Sequence, residues 1–343
     1  METRSIISTE TPINCIIHLW NVIPFSKNPA TVDPPLASLS KGIPPNPPSE
    51  GGNNPNSQQG EDCFYQLLFL AQALGKQDVS ENLPLTVITS EQYDVIGTEP
   101  LSPEKATVQG ICKVIPQEYP HLPCRLIDLD ATALNQQRDS LSENLLKELT
   151  TEIISGASIA YRNGYRWRQS FDRVSLPSSS PSLIREGGVY LITGGLGGIG
   201  LTLADSITQV PHTKLILISR SGLPDRAEWE DWLTGEEEDK IIAEKIRHVK
   251  ALEEQGAEVL VLSADVSDSP SETLRERAAM ETAIKDAETR FGNINGVIHT
   301  AGIAGGGIIQ LKTPEKATTV LSAKLQGTRI LDDLFCDKPL DFI

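Results

Sequence analysis

An α/β fold in two tandem subdomains, each built on a parallel sheet, is what the 343-residue sequence predicts. Three observations predict it. Short apolar runs rich in β-branched residues alternate with segments of helical length, the pattern of strands joined by crossover helices. One such run, residues 189–192 (VYLI), leads directly into a glycine-rich turn at 193–200 and then a helical segment at 201–207. Between the halves, residues 175–188 (SLPSSSPSLIREGG) gather serines, prolines and a Gly-Gly pair into a linker. The expected division is residues 1–183 and 184–343, each long enough for its own core.

The first half starts with a strand at 14–22 (NCIIHLWNV). Residues 24–60 hold nine of the 23 prolines plus Gly51 and Gly52, and read as a long loop with neither strand nor helix. Residues 61–74 place Phe64, Leu67, Leu68 and Ala71 on one helical face, with Gly75 as the stop. Strands follow at 85–89 and 124–129, and helices at 103–115, with Pro103 at the first position, and at 141–154. Asp139-Ser140-Leu141 resembles the phosphopantetheine attachment triplet of carrier proteins. No glycine stands upstream, so it reads as a helix cap whose side-chain oxygen accepts the first N–H groups. Residues 160–171 (AYRNGYRWRQSF) read as a strand, with Arg162, Arg166 and Arg168 solvated or paired. Asn21, Val22 and Ile23 follow the first strand where a glycine turn would stand, so this half is expected to carry no cofactor.

In the second half the turn fits two patterns. Gly195, Gly197 and Gly200 make G-x-G-x-x-G; Thr193, Gly194, Gly198 and Gly200 make T-G-x-x-x-G-x-G. Strand, glycine turn and helix form the context of a dinucleotide fingerprint. Its glycines close the turn, admit a pyrophosphate to the backbone and let helix pack on strand. The second subdomain is accordingly read as Rossmann-like, and the first, by its strand–helix alternation, as Rossmann-like without the turn. Leu196 and Ile199 complete the phosphate-binding turn. A near-continuous apolar strand at 214–219 ends at Ser219-Arg220. An enzyme using NAD places an acidic residue about here for the ribose 2′-OH. A hydroxyl and a guanidinium suit a 2′-phosphate instead, so the coenzyme expected is NADP(H). Residues 224–239 are acidic and carry Trp229 and Trp232, with 236–239 read as a solvated face; 240–255 form an amphipathic helix stopped by Gly256, and 259–262 form the third strand. Asp265 and Val266 follow it; an Asp at this strand end either accepts the adenine amino group or is an ordinary cap or turn residue. A helix at 281–291 and a fourth strand at 294–299 come next. Ala301 and Gly302 are small enough to pass the nicotinamide ribose, while His299 reads as structural. Thr313 caps a helix with Pro314 at its first position, running to 335 and carrying Lys324 and Gly327. A fifth strand starts at 340–343.

Composition narrows the function. The formal net charge of −16 argues against a nucleic-acid partner. No apolar run reaches the roughly 18 residues of a membrane span, and the N-terminus lacks a signal peptide's apolar stretch. A cytoplasmic protein without a membrane partner is expected. The five cysteines are scattered with no C-x-x-C pair, so reduced thiols and no metal site are expected.

Taken together, these residues resemble the ketoreductase (KR) domain of modular type I polyketide synthases, which is short-chain dehydrogenase/reductase-like. TGGLGGIG, LISRSG, GAEVLVLSADVSD, INGVIHTAGI and AKLQGTRIL carry the resemblance in the second half. IIHLWNV, LFLAQAL, PEKATVQGICKVIPQEYPHLPCRLIDLD and AYRNGYRWRQSF resemble the family's cofactor-free structural subdomain. The resemblance, shared in part with fatty acid synthases, implies NADPH-dependent reduction of a β-ketoacyl thioester. Its implied partners are an acyl carrier protein with a phosphopantetheine thioester and other synthase domains. Lys324, in a K-x-x-G setting, matches the family's catalytic lysine, one of a Tyr, Ser, Lys and Asn set. The Ser and the Tyr-x-x-x-Asn find no match: none of the six tyrosines is followed four residues on by Asn. The expectation is therefore a catalytic subdomain truncated after its fourth or fifth strand and inactive alone. A non-catalytic coenzyme-binding or scaffold remnant of a synthase is the alternative. A sugar-nucleotide epimerase shares the glycine turn but not the first half or Lys324. Leu331-Asp332-Asp333 stands on the helix after Lys324, whereas one family class carries that triplet soon after H-x-A-G, so the product's configuration stays open.

Overall fold

The apolar runs become strands in a computed structural model that describes residues 16–19, 55–77, 82–131, 138–175, 182–234, 240–265 and 273–343. The chain divides into two units. One comprises Met1–Arg173 with Gly307–Lys312, the other Val174–Gly306 with Thr313–Ile343.

In the first unit β1 (Ile16–Leu19), β2 (Leu85–Ser90), β3 (Cys124–Leu129) and β4 (Ser158–Arg162) lie parallel in that order, and β5 (Tyr165–Arg168) pairs antiparallel with β4. β2 and β3 are buried at every position, and they bury polar residues beside the apolar ones: Thr86, Thr89 and Ser90 in β2, Arg125 and Asp128 in β3. Successive side chains still point to opposite faces. Leu85, Val87, Cys124 and Leu126 meet the buried residues of α1 (Pro55–Gly75) and α2 (Thr107–Glu118). Ile88, Ile127, Ile159 and Tyr161 meet Leu141 of α3 (Arg138–Thr150).

Several expectations are corrected in this unit. Its sheet is not wholly parallel. Residues 160–171 fold back at Asn163 (φ 51°) and Gly164 (φ 78°), two left-handed residues of the kind a two-residue hairpin requires. Of the expected loop at 24–60, residues 20–54 lie outside the described part, and 55–60 are helical, with Pro55 tolerated in the first turn. Gly75 is the last residue of α1 and has no positive φ; an added Cβ would fall 2.5 Å from the Tyr119 ring. The expected helix at 103–115 is a 3₁₀ turn, Pro103–Ala106, followed by α2. Asp139 and Ser140 stand inside α3 rather than capping it, and α3 stops at Thr150.

Arg162, 1% exposed, pairs with Asp128 and, at 3.0 Å, with Glu99. Arg166 pairs with Glu148 at 2.6 Å. The segment Gly307–Lys312 also belongs to this unit. Ile309 joins the α1–α2 core, and its N–H donates to Glu118 Oε2 at 2.6 Å. Gln72 Nε2 donates to the carbonyls of Ile309 and Lys312, each at 2.8 Å, and the Tyr119 hydroxyl to Gln310 Oε1 at 2.9 Å.

The second unit holds β6 (Val189–Thr193), β7 (Lys214–Ser219), β8 (Glu258–Ser263) and β9 (Gly296–His299), all parallel in the order β8-β7-β6-β9. Tyr190, Ile192, Leu215 and Leu217 face the helices α4 (Gly198–Ile207), α5 (Trp229–Thr234) and α6 (Lys240–Glu254). Val189, Leu191, Ile216 and Ile218 face α7 (Thr273–Phe291) and α8 (Pro314–Phe335). Helices therefore cover both faces of this sheet. The expected start of a fifth strand reduces to a single parallel bridge between Gly296 and Phe342. Gly256 (φ 100°) follows α6 as the expected stop, and the Thr313 side chain accepts the Lys316 N–H at 3.4 Å.

Candidate functional site

The carboxyl ends of the four parallel strands of the second unit bring the expected site residues together. β6 delivers Thr193 and the glycine turn, β7 delivers Ser219 and Arg220, β8 is followed by Asp265, and β9 by Ala301 and Gly302. Val266 lies outside the described residues.

Contacts around the turn separate its glycines. Gly194 has φ +67°, and a Cβ there would stand 2.8 Å from the Ala301 backbone. At Gly195 it would lie 2.8 Å from Ile192 O and 2.9 Å from Leu217 Cα. At Gly200 it would meet Gly194 O at 2.5 Å. These three positions exclude a side chain. Gly197 is open except for Gly194 O at 3.1 Å, and Gly198 has nothing within 4 Å. Gly197, Gly198 and Ile199 are exposed, while Leu196 is buried in the core. The turn thus presents a bare backbone strip outward and packs its other glycines inward.

That strip is also the start of a helix. Gly197 is the N-cap of α4 and offers no side chain to cap it. The first helical bond runs from Leu201 N–H to Gly197 O at 2.9 Å, so the N–H groups of Gly198, Ile199 and Gly200 have no acceptor within the helix. Unsatisfied donors and the positive dipole end favour an anion here. The absence of Cβ atoms at Gly197 and Gly198 leaves room for a bulky one. The residues present therefore fit a dinucleotide pyrophosphate.

Around the strip, Ser219 Oγ accepts the Gly222 N–H at 3.1 Å and keeps its own hydrogen to donate. Arg220 is exposed; its carbonyl accepts from Ser263 Oγ at 2.7 Å, and its guanidinium has no ion pair among the described residues. Asp265 is half-buried. Lys324, on α8, lies over Gly302: a Cβ at Gly302 would stand 3.0 Å from Lys324 Cε and 3.2 Å from Nζ. Thr193 is fully buried. Its carbonyl accepts both the N–H (3.0 Å) and the hydroxyl (2.7 Å) of Thr300, and its Oγ1 lies 2.6 Å from His299 Nδ1. His299 Nε2 lies 2.9 Å from Ala323 O. Burial pushes the imidazole pKa below its usual value; the bond to Ala323 opposes this and the charge of Lys324 adds to it. Thr300 and the bridging geometry of His299 escaped sequence reasoning. The only signal was a hydroxyl and an imidazole at a strand end.

Among the described residues no helix is long and apolar enough to cross a membrane, and no group of three or more His, Cys, Asp or Glu side chains could hold a metal ion.

Comparison with known proteins bears on this site. Residues 188–343 match the family model described as KR domain. Polyketide synthase PksL of Bacillus subtilis (strain 168) is 32% identical over 244 residues, which are 69% of this chain and 5% of that protein. The 6-methylsalicylic acid synthase of Aspergillus terreus (strain NIH 2624 / FGSC A1156) is 36% identical over 172 residues, 50% of this chain and 9% of that protein. The chain thus spans a small part of these relatives. A ketoreductase domain from the bacillaene assembly line shares the fold, with a TM-score of 0.63 at 23% identity over all of this chain and 70% of that one. The structure of A-type ketoreductases from a modular polyketide synthase gives a TM-score of 0.60 at 26% identity, covering 81% of this chain and 52% of that one.

Proposed function

The chain belongs to the ketoreductase (KR) domain family of modular polyketide synthases, matched over residues 188–343, and on that premise we propose that its second unit holds NADP(H) for reduction of a β-ketoacyl thioester presented by an acyl carrier protein. The observation that carries the reading is the turn itself. Gly194, Gly195 and Gly200 close it, and Gly197 and Gly198 leave a bare backbone strip at an uncapped helix start.

NADPH, when bound, supplies the hydride. The chain's own residues bind and orient. The N–H groups of Gly198, Ile199 and Gly200 take the pyrophosphate, with the buried Leu196 contributing only backbone and the exposed Ile199 an apolar cover. Thr193 supports the turn through its bonds to Thr300 and His299. Ser219 and Arg220 take the 2′-phosphate, one as a hydroxyl donor and one as a charged fork. Asp265, with Val266 beside it, takes the adenine amino group. Ala301 and Gly302 let the nicotinamide ribose approach. Lys324, over Gly302, binds ribose hydroxyls, and its charge favours the ionised form of a neighbouring proton donor.

In the family this chain resembles, that donor is a tyrosine, and no tyrosine in these 343 residues opens the family's Tyr-x-x-x-Asn. The reading is therefore a coenzyme-binding ketoreductase half, docking to an acyl carrier protein and other synthase domains. By itself the 343-residue chain is expected to oxidise NADPH with a β-ketoacyl thioester at a negligible rate; turnover at ordinary enzyme rates contradicts this. Calorimetric titration tests the coenzyme. NADPH binds more tightly than NADH, and Arg220→Ala removes about a tenfold to a hundredfold preference, the worth of one charge-assisted contact. Equal affinity for the two coenzymes in the unaltered chain contradicts the assignment of Arg220.

A further inference from the structure

His299 spends both ring nitrogens on protein groups. The Ala323 carbonyl can only accept, so Nε2 carries the hydrogen and donates across 2.9 Å. Nδ1 is then the acceptor, and takes the Thr193 hydroxyl across 2.6 Å. Burial disfavours the charged ring, and in the neutral form these partners fix one tautomer.

The partners stand at informative places. Thr193 is the last residue of β6, immediately before the glycine turn, and is fully buried. Ala323 is 2% exposed, lies inside α8, and immediately precedes Lys324. A carbonyl inside a helix already accepts from the residue four positions on, so the imidazole uses its second lone pair. One ring therefore ties the strand that enters the turn to the helix that carries the lysine. It also sits three residues before Gly302, the residue over which Lys324 Cε and Nζ are laid. A slide or rotation of α8 would break the Ala323 bond and carry Lys324 off Gly302.

We propose that His299 is a positioning residue for Lys324. Its neutral imidazole pins α8 at Ala323 and thereby sets the lysine ammonium over Gly302, where the nicotinamide ribose is read to lie. The role in coenzyme binding rests on the function proposed above; the role in placing Lys324 does not.

Two readouts on the full 343-residue chain separate these. In the coenzyme-free protein, the rate at which Lys324 reacts with an amine-acylating reagent is followed by peptide mass spectrometry, with exposed Lys316 of the same helix as internal standard. His299→Leu, which removes both bonds, is expected to change the Lys324 rate at least about threefold, the scale of one lost hydrogen bond, while Lys316 keeps its rate. His299→Gln, whose amide can still donate to Ala323 O, is expected to restore most of the original rate. With NADPH as probe, His299→Leu is expected to weaken binding by about tenfold, and His299→Leu with Lys324→Ala to bind no worse than Lys324→Ala alone, because residues acting through one another are not additive.

Multiplying losses in the double variant, equal behaviour of the Gln and Leu variants, or an unchanged Lys324 rate overturn the proposal. If His299→Leu does not melt cooperatively, His299→Phe, which also removes both bonds, takes its place in the same comparisons. If the unaltered chain binds no NADPH, the functional reading fails, and the acylation rates still decide whether His299 places Lys324.

Discussion

Gly194 and Gly198 lie four residues apart in one turn and answer to different demands. Gly194 combines a left-handed φ with a Cβ position 2.8 Å from the Ala301 backbone. Gly194→Ala is expected to cost about 2–4 kcal/mol in chemical denaturation, from left-handed strain plus overpacking against backbone, and to abolish NADPH binding. Gly198 has open space around it. Gly198→Ala is expected to leave stability within about 1 kcal/mol of the original yet to weaken NADPH binding at least about tenfold, since the methyl group occupies the approach to the pyrophosphate. Loss of stability without loss of binding at Gly198 would contradict the outward strip. The sequence alone showed two overlapping glycine patterns and no means of choosing between them. The positions that exclude a side chain, Gly194, Gly195 and Gly200, draw on both, because Gly194 is set by the Ala301 backbone, Gly195 by Ile192 O and Leu217, and Gly200 by Gly194 O.

At the scale of elements, the apolar runs announced themselves and the pieces held by remote partners did not. β3 and β7 fall where the sequence put them, on runs whose Leu and Ile positions mark a buried strand, although β3 also buries Arg125 and Asp128 in ion pairs. β5 is exposed at all four positions and has no burial pattern to read; its only announcement was the Asn163-Gly164 pair. The segment Gly307–Lys312 was illegible for a different reason. Its hydrogen bonds go to Gln72, Glu118 and Tyr119, between 191 and 240 positions away, and no local periodicity encodes them. Ile309 is 6% exposed in that core. Ile309→Ala is expected to destabilise the first unit by about 2–5 kcal/mol, read as faster hydrogen exchange in α1 and α2. Unchanged exchange there would show that the segment merely lies against the unit.

At the scale of the whole molecule, the two units carry unlike polar interiors. The second leaves backbone donors at its strand ends. The first fills its interior with paired charges. Glu148, 5% exposed, takes both Arg166 and the Tyr161 hydroxyl, with Arg125 at 3.3 Å. The bond from Arg166 chiefly lowers its pKa below 4.5, against burial. The unfolded chain therefore takes up the proton first as pH falls. The stabilisation from this group is whole above the unfolded value and is lost as pH drops through the folded one. Glu148→Gln is expected to flatten the acid side of the stability curve from the ordinary carboxylate range downward; an unchanged slope contradicts the pairing. The central claim, that the bare glycine strip holds NADPH, is tested most directly by hydrogen exchange of the 343-residue chain with and without saturating NADPH. The account predicts slower exchange confined to residues 194–201 and 299–302 and to the peptide carrying Arg220. Protection in the first unit alone, or none at the glycine turn, would contradict it.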